Sequence, residues 1–130
     1  MPRKLSIICV SGSHERLQMA GMIASVAAAS GDEVSVFFSM NALPHFVKDA
    51  SADAPAEGKF GELMANSAGV PPFRQLFRFA AEMGDARLLP CSMALDLLGL
   101  DEGDLEPELA AATGLTAFLA ETADAQILTF

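Results

Sequence analysis

The chain is short of the residues on which several common site chemistries depend. It has two cysteines and two histidines in 130 residues, and they are not closely spaced in the pattern of a zinc site. Two cysteines are also too few for a disulfide scaffold. A phosphate loop with glycines and a lysine is absent, and so is a Gly-x-Ser-x-Gly elbow. The sequence therefore predicts no metal, no cofactor and no serine hydrolase.

Basic residues are scarce as well. Eight Lys and Arg residues stand against 17 Asp and Glu residues, which gives a net charge of −9 at pH 7. Nucleic acids and anionic membrane surfaces both select clustered Lys and Arg. We therefore expect neither as a partner, whereas a basic protein partner is compatible with this charge.

Long apolar runs are missing, although 52% of the residues are hydrophobic. No run approaches the ~20 residues needed to cross a bilayer. The apolar run at residues 5–10 follows two positive charges but is shorter than the h-region of about 7–15 residues in a secretory signal. We therefore expect a cytoplasmic protein whose cysteines are thiols, with residues 1–130 forming a single domain.

Apolar runs alternate with helical segments along the chain. Strands are predicted at residues 5–10, 33–38, 87–89 and 126–130, and helices at 17–30, 73–83, 91–98 and 115–122. This alternation predicts a three-layer α/β/α sandwich around a mainly parallel, Rossmann-like sheet. Residues 40–49 could hold a short helix, residues 50–58 are expected to form a mobile loop, and residues 104–112 are ambiguous between strand and helix.

Cys91 is the most informative candidate residue. The apolar run Leu88-Leu89 ends at Pro90, and an amphipathic stretch closed by Gly99 follows, so a strand is expected to deliver the cysteine to the first turn of a helix. Unpaired N–H groups and the positive end of the helix dipole favour a thiolate there, and the thiolate is the nucleophile. A free cysteine is also commonly a buried core residue, and position alone leaves both interpretations open.

Three segments that follow predicted strands are expected to meet at one edge of the sheet. Ligands of parallel sheets collect outside the carboxyl ends of the strands, and residues 11–14, residues 39–41 and Cys91 all follow strands. This convergence favours a functional role for Cys91. The candidates for lining its pocket or stabilising its thiolate are Ser92, Met93, Ala94, His14, Gly12 and Asn41.

Each of these candidates also has a structural interpretation. Ser92 is more commonly a helix-capping residue, and His14 is more commonly a surface histidine at a helix start. His45 is the weaker candidate of the two histidines, because Pro44 leaves its orientation undetermined. Met40 is more often core packing than pocket lining.

Other residues are expected to be structural. Cys9 lies inside the first predicted strand and is expected in the core. Asp96 would oppose a nearby thiolate, so we expect it to point away or to pair with Arg or Lys. The phenylalanines of the third helical segment are interpreted as core or as subunit interface: Phe73, Phe77 and Phe79.

Four stretches of the chain resemble the DsrE/DsrF-like family of sulfur-relay proteins, and together they cover nearly its whole length. They are residues 5–10, 33–41, 91–100 and 114–119. The third stretch is the most specific. In relatives, a cysteine followed by small residues, Met, Asp, Leu and Gly marks the sulfur-carrying position, and Cys91 is the matching residue here.

The resemblance implies a Rossmann-like fold, a cysteine that carries sulfane sulfur as a persulfide, and a homo-oligomer, with a trimer favoured and a hexamer possible. It also implies a small sulfane-sulfur donor, together with a TusA-like sulfur carrier or a heterodisulfide-reductase-like complex as partner. Some relatives have a second cysteine soon after the first. This chain has Gly99 and Leu100 there, which argues against an intramolecular disulfide mechanism.

The leading interpretation is thus a cytoplasmic sulfur carrier or sulfurtransferase that relays sulfur from Cys91 to another protein thiol. A non-catalytic assembly or binding subunit, in which Cys91 is inert, is the alternative from a different class. A thiol peroxidase ranks last, because it needs a resolving thiol or an external reductant and Cys9 is expected to be buried.

Overall fold

A four-stranded parallel sheet forms the centre of the molecule. The computed structural model describes residues 2–49 and 53–130, and within them the strand order is β3-β2-β1-β4. The strands are β1 (Lys4–Cys9), β2 (Glu33–Phe38), β3 (Arg87–Pro90) and β4 (Gln126–Thr129). The helices are α1 (His14–Ala29), α2 (Lys59–Ala65), α3 (Phe73–Gly84), α4 (Ser92–Leu98) and α5 (Leu115–Glu121), with 3-10 turns at Met40–Phe46 and Glu102–Asp104. The predicted α/β fold with a parallel sheet is confirmed.

Strand β2 is buried between two helical layers. Phe38 packs towards α3, with its ring centroid 4.1 Å from that of Phe46 and 5.0 Å from that of Phe77. Phe37 points the other way, and its ring lies 4.9 Å from that of Phe118 in α5. Successive side chains of a strand alternate between faces, and burial on both faces explains why β2 is a continuous apolar run.

Helix α1 begins at His14 rather than at the predicted Leu17. Ser13 is the N-cap, and its side chain accepts a hydrogen bond of 3.3 Å from the Arg16 N–H. Because the first turn of α1 is polar, the spacing of apolar residues did not reveal where the helix begins. Glu15 in that turn has a structural task, because its carboxylate accepts hydrogen bonds from the amides of Glu57 (2.8 Å) and Gly58 (2.8 Å).

Helix α2 was not predicted, since its sequence contains a glycine and shows no apolar periodicity. Glu15 also accepts from the Gly61 amide at 3.2 Å, so a carboxylate of α1 caps α2 from outside. The Glu57 amide, followed by the other backbone donors, holds the pKa of Glu15 below its usual value. Of the predicted mobile loop, residues 50–52 lie outside the described residues, and the His14 N–H donates to the Pro55 carbonyl at 2.8 Å. The described part of that segment is therefore hydrogen-bonded to the start of α1.

The two edges of the sheet differ. Beyond β3, the Ala110 N–H donates to the Leu88 carbonyl at 2.7 Å, and the Thr113 N–H donates to the Pro90 carbonyl at 3.0 Å. The segment 104–112, left ambiguous by the sequence, thus forms neither a regular strand nor a helix: residues 107–108 form a turn, and residues 110–113 run along the edge formed by β3. At the other edge, β4 pairs with β1 along its inner side and is the last strand of the sheet.

Candidate functional site

Cys91 lies where strand β3 turns into helix α4, as predicted. Its N–H donates to the Phe38 carbonyl at 2.9 Å, and its carbonyl accepts from the Leu95 N–H at 3.0 Å. The residue is the N-cap of α4, with an extended backbone. Both cysteines are free thiols, and only 4% of Cys91 is exposed. The backbone of Cys91 is therefore fixed on both sides, and its thiol lies just beneath the surface.

The first turn of α4 begins beside the start of α5. The Ser92 N–H donates to the Thr113 carbonyl at 2.9 Å, and a Cβ atom on Gly114 would lie 3.8 Å from Ser92 Oγ. The Cys91 side chain makes no capping hydrogen bond. Stabilisation of a sulfur anion by the amides of Met93 and Ala94 thus stays a prediction, since the thiol in this structure does not cap the helix.

The outer surface of α4 is apolar and exposed. Met93 is half exposed, and Leu97 is 80% exposed. Asp96 is exposed as well, which agrees with the expectation that it points away from the thiol. The helix next to Cys91 therefore presents a largely apolar surface to solvent.

A second group at the carboxyl edge of the sheet consists of Gly12, Asn41 and His45. The Asn41 N–H donates to the Val10 carbonyl at 3.0 Å. A Cβ atom on Gly12 would lie 2.6 Å from the Asn41 carbonyl oxygen and 3.1 Å from His45 Nε2. Gly12 is therefore required by a close approach of backbone to backbone, and the contribution of Asn41 is its carbonyl, because its side chain is exposed.

His45, which the sequence ranked below His14, is the histidine at Gly12. Burial lowers its pKa, the positive charge of Arg74 lowers it further, and a hydrogen bond with the Gly12 backbone acts in the opposite direction. The His45 carbonyl accepts from Arg74 Nε at 2.7 Å. These contacts fix the orientation that Pro44 had left undetermined.

His14 lies at the start of α1 and packs against α3. Its ring centroid is 5.9 Å from that of Phe73, in an edge-to-face arrangement. It lines a cavity of about 340 Å³ together with Gln18 and Pro72, and Cys91 is not among the residues that line this cavity. A role of His14 at the thiol stays a prediction that these contacts do not support.

Cys9 is a core residue, as predicted. It ends β1, is 1% exposed, and its burial raises the pKa of the thiol to about 12. Phe73 and Phe77 are buried, which confirms their interpretation as core, whereas Phe79 is exposed. The expectation that Met40 packs in the core is wrong, because it lies on the turn after β2 with a positive φ of 50° and is exposed.

The comparison with known protein families decides which group the chain falls into. The model of the DsrE/DsrF-like family matches residues 4–130. The chain belongs to the DsrE/DsrF-like family. The stretches that carried the resemblance, including the one that starts at Cys91, all lie within the matched range.

Named relatives match this family member over nearly its whole length. It is 28% identical to the Bacillus subtilis (strain 168) "Uncharacterized protein YrkE" over 156 residues, which cover 98% of this chain and 96% of that protein. The structure of MTH1491 from Methanobacterium thermoautotrophicum, titled a protein of unknown function, superposes with a TM-score of 0.71 at 11% identity, covering 98% and 99% of the two chains. The YchN protein of E. coli gives 0.70 at 17% identity over both full lengths. These superpositions establish the fold.

Two searches of the described residues complete the description of the site. Within residues 2–49 and 53–130, no helix is long and apolar enough to span a membrane. The same residues contain no cluster of three or more His, Cys, Asp and Glu side chains that could hold a metal ion.

Proposed function

We propose that this DsrE/DsrF-like protein is a sulfur carrier that holds sulfane sulfur on Cys91 and passes it to another protein thiol. The supporting observation is the position of Cys91 at the junction of β3 and α4, within the stretch that most resembles the sulfur-carrying segment of the family. The family as a whole is linked to sulfur relay, and the carrier role of this chain is the proposal.

The transfer needs only one thiol and two partners. The Cys91 thiolate attacks the sulfane sulfur of a donor, and a new S–S bond forms at Cys91. The donor's S–S bond breaks, and its electron pair leaves on the rest of the donor, which is glutathione thiolate, a shorter polysulfide or sulfite according to the donor used. A second thiolate, on the acceptor protein, then attacks the terminal sulfur of the Cys91 persulfide and regenerates the Cys91 thiolate. Each step is a thiol–disulfide-type exchange, so no net oxidant or reductant is required.

Access to the thiol is the main requirement that this geometry imposes. With 4% exposure, Cys91 reacts only after a small local opening. Helix α4 has seven residues and carries exposed apolar side chains, and short elements of this kind open locally at low free energy. A partner that binds Met93 and Leu97 would open this helix start and reach the sulfur in one event.

The same limited exposure favours a second candidate function. A cysteine that stays closed is inert, and the apolar outer surface of α4 would then serve assembly with other subunits. In this alternative the chain is a non-catalytic binding subunit of DsrE-like fold. The two candidates differ in the reactivity of Cys91 and not in the surface used.

The test is intact-protein mass spectrometry after incubation of the reduced protein with thiosulfate, polysulfide and glutathione persulfide in separate reactions. We expect a reductant-sensitive adduct of one added sulfur atom that persists in Cys9→Ser and is lost in Cys91→Ser. The loaded protein should then transfer its extra sulfur to a TusA-like carrier. Absence of an adduct with all donors, together with slow alkylation of Cys91, would establish the assembly subunit instead.

The proposed relay includes an oligomeric carrier in the cytoplasm, with a trimer favoured and a hexamer possible. Light scattering coupled to size-exclusion chromatography measures the oligomeric state directly. A monomer at micromolar concentration would contradict this part of the proposal and leave the chemistry of Cys91 untouched.

A further inference from the structure

The outer side of β4 is an unprotected strand edge. The Phe130 N–H donates to the Ile8 carbonyl at 2.8 Å, so the alternation along the strand turns the backbone groups of Ile127 and Thr129 away from β1. Exposed edges are usually blunted by charged side chains, proline, a bulge or a covering segment. Residues 126–130 contain no charge and no proline. The covering segment is found at β3, at the opposite edge.

Apolar side chains continue this edge into the helical layer. A groove of about 410 Å³ runs between β4 and α1, and the side chains that line it include Met19, Met22, Ile23, Val26 and Leu128. Val26 is 66% exposed, and Met19 and Met22 are close to half exposed. Helix α1 is thus apolar on its outer side as well as on its buried side, which is typical of a helix that is covered on all sides. On the other face of the sheet, Ile127 is 47% exposed.

The charges that border this strip are already neutralised within the chain. Lys4 is paired with Asp124 at 3.1 Å, and Arg3 with Asp32 at 2.9 Å. In a protein of net charge −9, the described residues that line the groove include no Asp or Glu, so two copies can meet there with little like-charge repulsion.

The total surface slightly exceeds that of an average monomer of this mass. The accessible area is 7107 Å², whereas a monomeric protein of 13.6 kDa typically exposes about 6,600 Å². The excess of about 500 Å² is of the same order as the about 800 Å² that each partner buries in a standard interface.

We propose that β4 pairs with β4 of a second copy in antiparallel orientation, across a two-fold axis at Leu128. The orientation follows from the two edges. Parallel addition of β4 to another copy's β3 is blocked because residues 110–113 occupy that edge, and this leaves the β4 edge of the second copy as the partner that we propose. Two identical strand edges related by a two-fold axis are antiparallel.

The outward-facing groups then fix the register. Ile127 of one copy opposes Thr129 of the other, and the two hydrogen-bonded pairs give roughly four backbone hydrogen bonds. The Leu128 side chains meet on the α1 side in a close, non-hydrogen-bonded pair, above the grooves that Met22 and Val26 line. A two-fold contact occurs in a dimer or in a hexamer built from two trimers and not in a trimer, so of the two assemblies named above it fits the hexamer. The contact does not depend on the sulfur chemistry of Cys91.

The first experiment compares molar masses by light scattering for the wild type, Thr129→Pro and Met83→Lys. Proline at 129 removes an outward N–H and leaves the inward bonds to β1 in place, so we expect a folded protein of half the wild-type mass. Met83→Lys places a charge at an exposed position of α3, beside β2 and β3, and should leave the mass unchanged. A wild-type monomer or trimer, or a folded Thr129→Pro with unchanged mass, would overturn the proposal.

A second experiment tests the register independently of proline. In a Cys91→Ser background, Leu128→Cys should form a disulfide-linked dimer under mild oxidation, because a directly opposed pair brings the Cα atoms within disulfide range. Gln126→Cys is the control, since its counterpart across the axis is Phe130. Cross-linking at 126 but not at 128 would disprove this register. Capture of an extended peptide by wild-type monomer would assign the edge to another protein instead.

Discussion

The end of β1 and the end of β3 lie at the carboxyl end of the parallel sheet, and each holds one of the two cysteines. The two regions differ in how tightly they are packed. After β1, Gly12 is pressed against the Asn41 carbonyl, and the nearby Cys9 is 1% exposed. After β3, Cys91 is the N-cap residue of a short helix with exposed side chains, and a Cβ atom on Gly114 would lie at an ordinary contact distance of 3.8 Å from Ser92 Oγ. The first region is too tight for one added carbon atom, whereas the second would accept one. A cysteine at a strand end is therefore not informative until its packing is known.

The largest difference between the two regions is expected in thiol reactivity. With a pKa of about 12, Cys9 at pH 7.5 has about three-thousand-fold less thiolate than an unperturbed thiol with a pKa of about 8.5. Iodoacetamide should therefore label Cys91 and leave Cys9 unlabelled until the protein unfolds. Mass spectrometry of peptides after timed labelling measures both rates in one sample. Equal rates would remove the contrast between the cysteines.

The same substitution should have different effects on stability at the two sites. Cys9→Ser buries a hydroxyl group in the core and is expected to lower the free energy of unfolding by about 1–3 kcal/mol. Cys91→Ser places a good capping residue at the N-cap of α4 and is expected to be neutral or to stabilise by up to about 1 kcal/mol. Urea denaturation of the two variants tests this difference. A larger loss for Cys91→Ser than for Cys9→Ser would show that the packing contrast is wrong.

Adding one methyl group should distinguish the two turns in a similar way. Gly12→Ala introduces a carbon 2.6 Å from the Asn41 carbonyl oxygen and is expected to destabilise the protein by about 1–3 kcal/mol, as overpacking does. Gly114→Ala places its carbon in ordinary contact distance and should change stability by less than about 0.5 kcal/mol. Thermal unfolding of the pair measures the difference, and equal melting temperatures would contradict it.

The smallest expected effect is a pH dependence from His45 in the tight region. Its pKa is lowered in the folded state, so the unfolded state binds more protons as the pH falls through the ordinary histidine range. The free energy of unfolding should thus decrease between pH 7.5 and pH 5.5. His45→Gln should show a weaker decrease over this interval, as measured by denaturation at each pH. An identical slope for both proteins would assign the effect to other groups.

Residues with strong local signals could be placed from the sequence. Pro90 and Gly99 bracket α4, so the position of Cys91 between strand and helix was predicted correctly. β2 was predicted to the residue, because an apolar, β-branched and aromatic run has few alternatives in a parallel sheet.

What the sequence could not provide depends on contacts between distant residues. Glu15 caps α2 through a hydrogen bond from the Gly61 amide, which is 46 residues away in the sequence. No local sequence pattern predicts this contact. His45 was ranked below His14 because its orientation is set by Gly12 and Arg74, which approach it only in the folded chain. The exposure of Cys91, on which the choice between carrier and inert subunit turns, is likewise a tertiary property.

The extended segment beside β3 also limits how far assembly can proceed. Strand edges add to one another without end when both sides of a sheet are open, and this is how fibres grow. Here the backbone hydrogen bonds of Ala110 and Thr113 cover β3, so β4 is the free strand edge of each copy. Pairing of two copies through β4 would cover this edge in both, and the sheet would not extend beyond two copies.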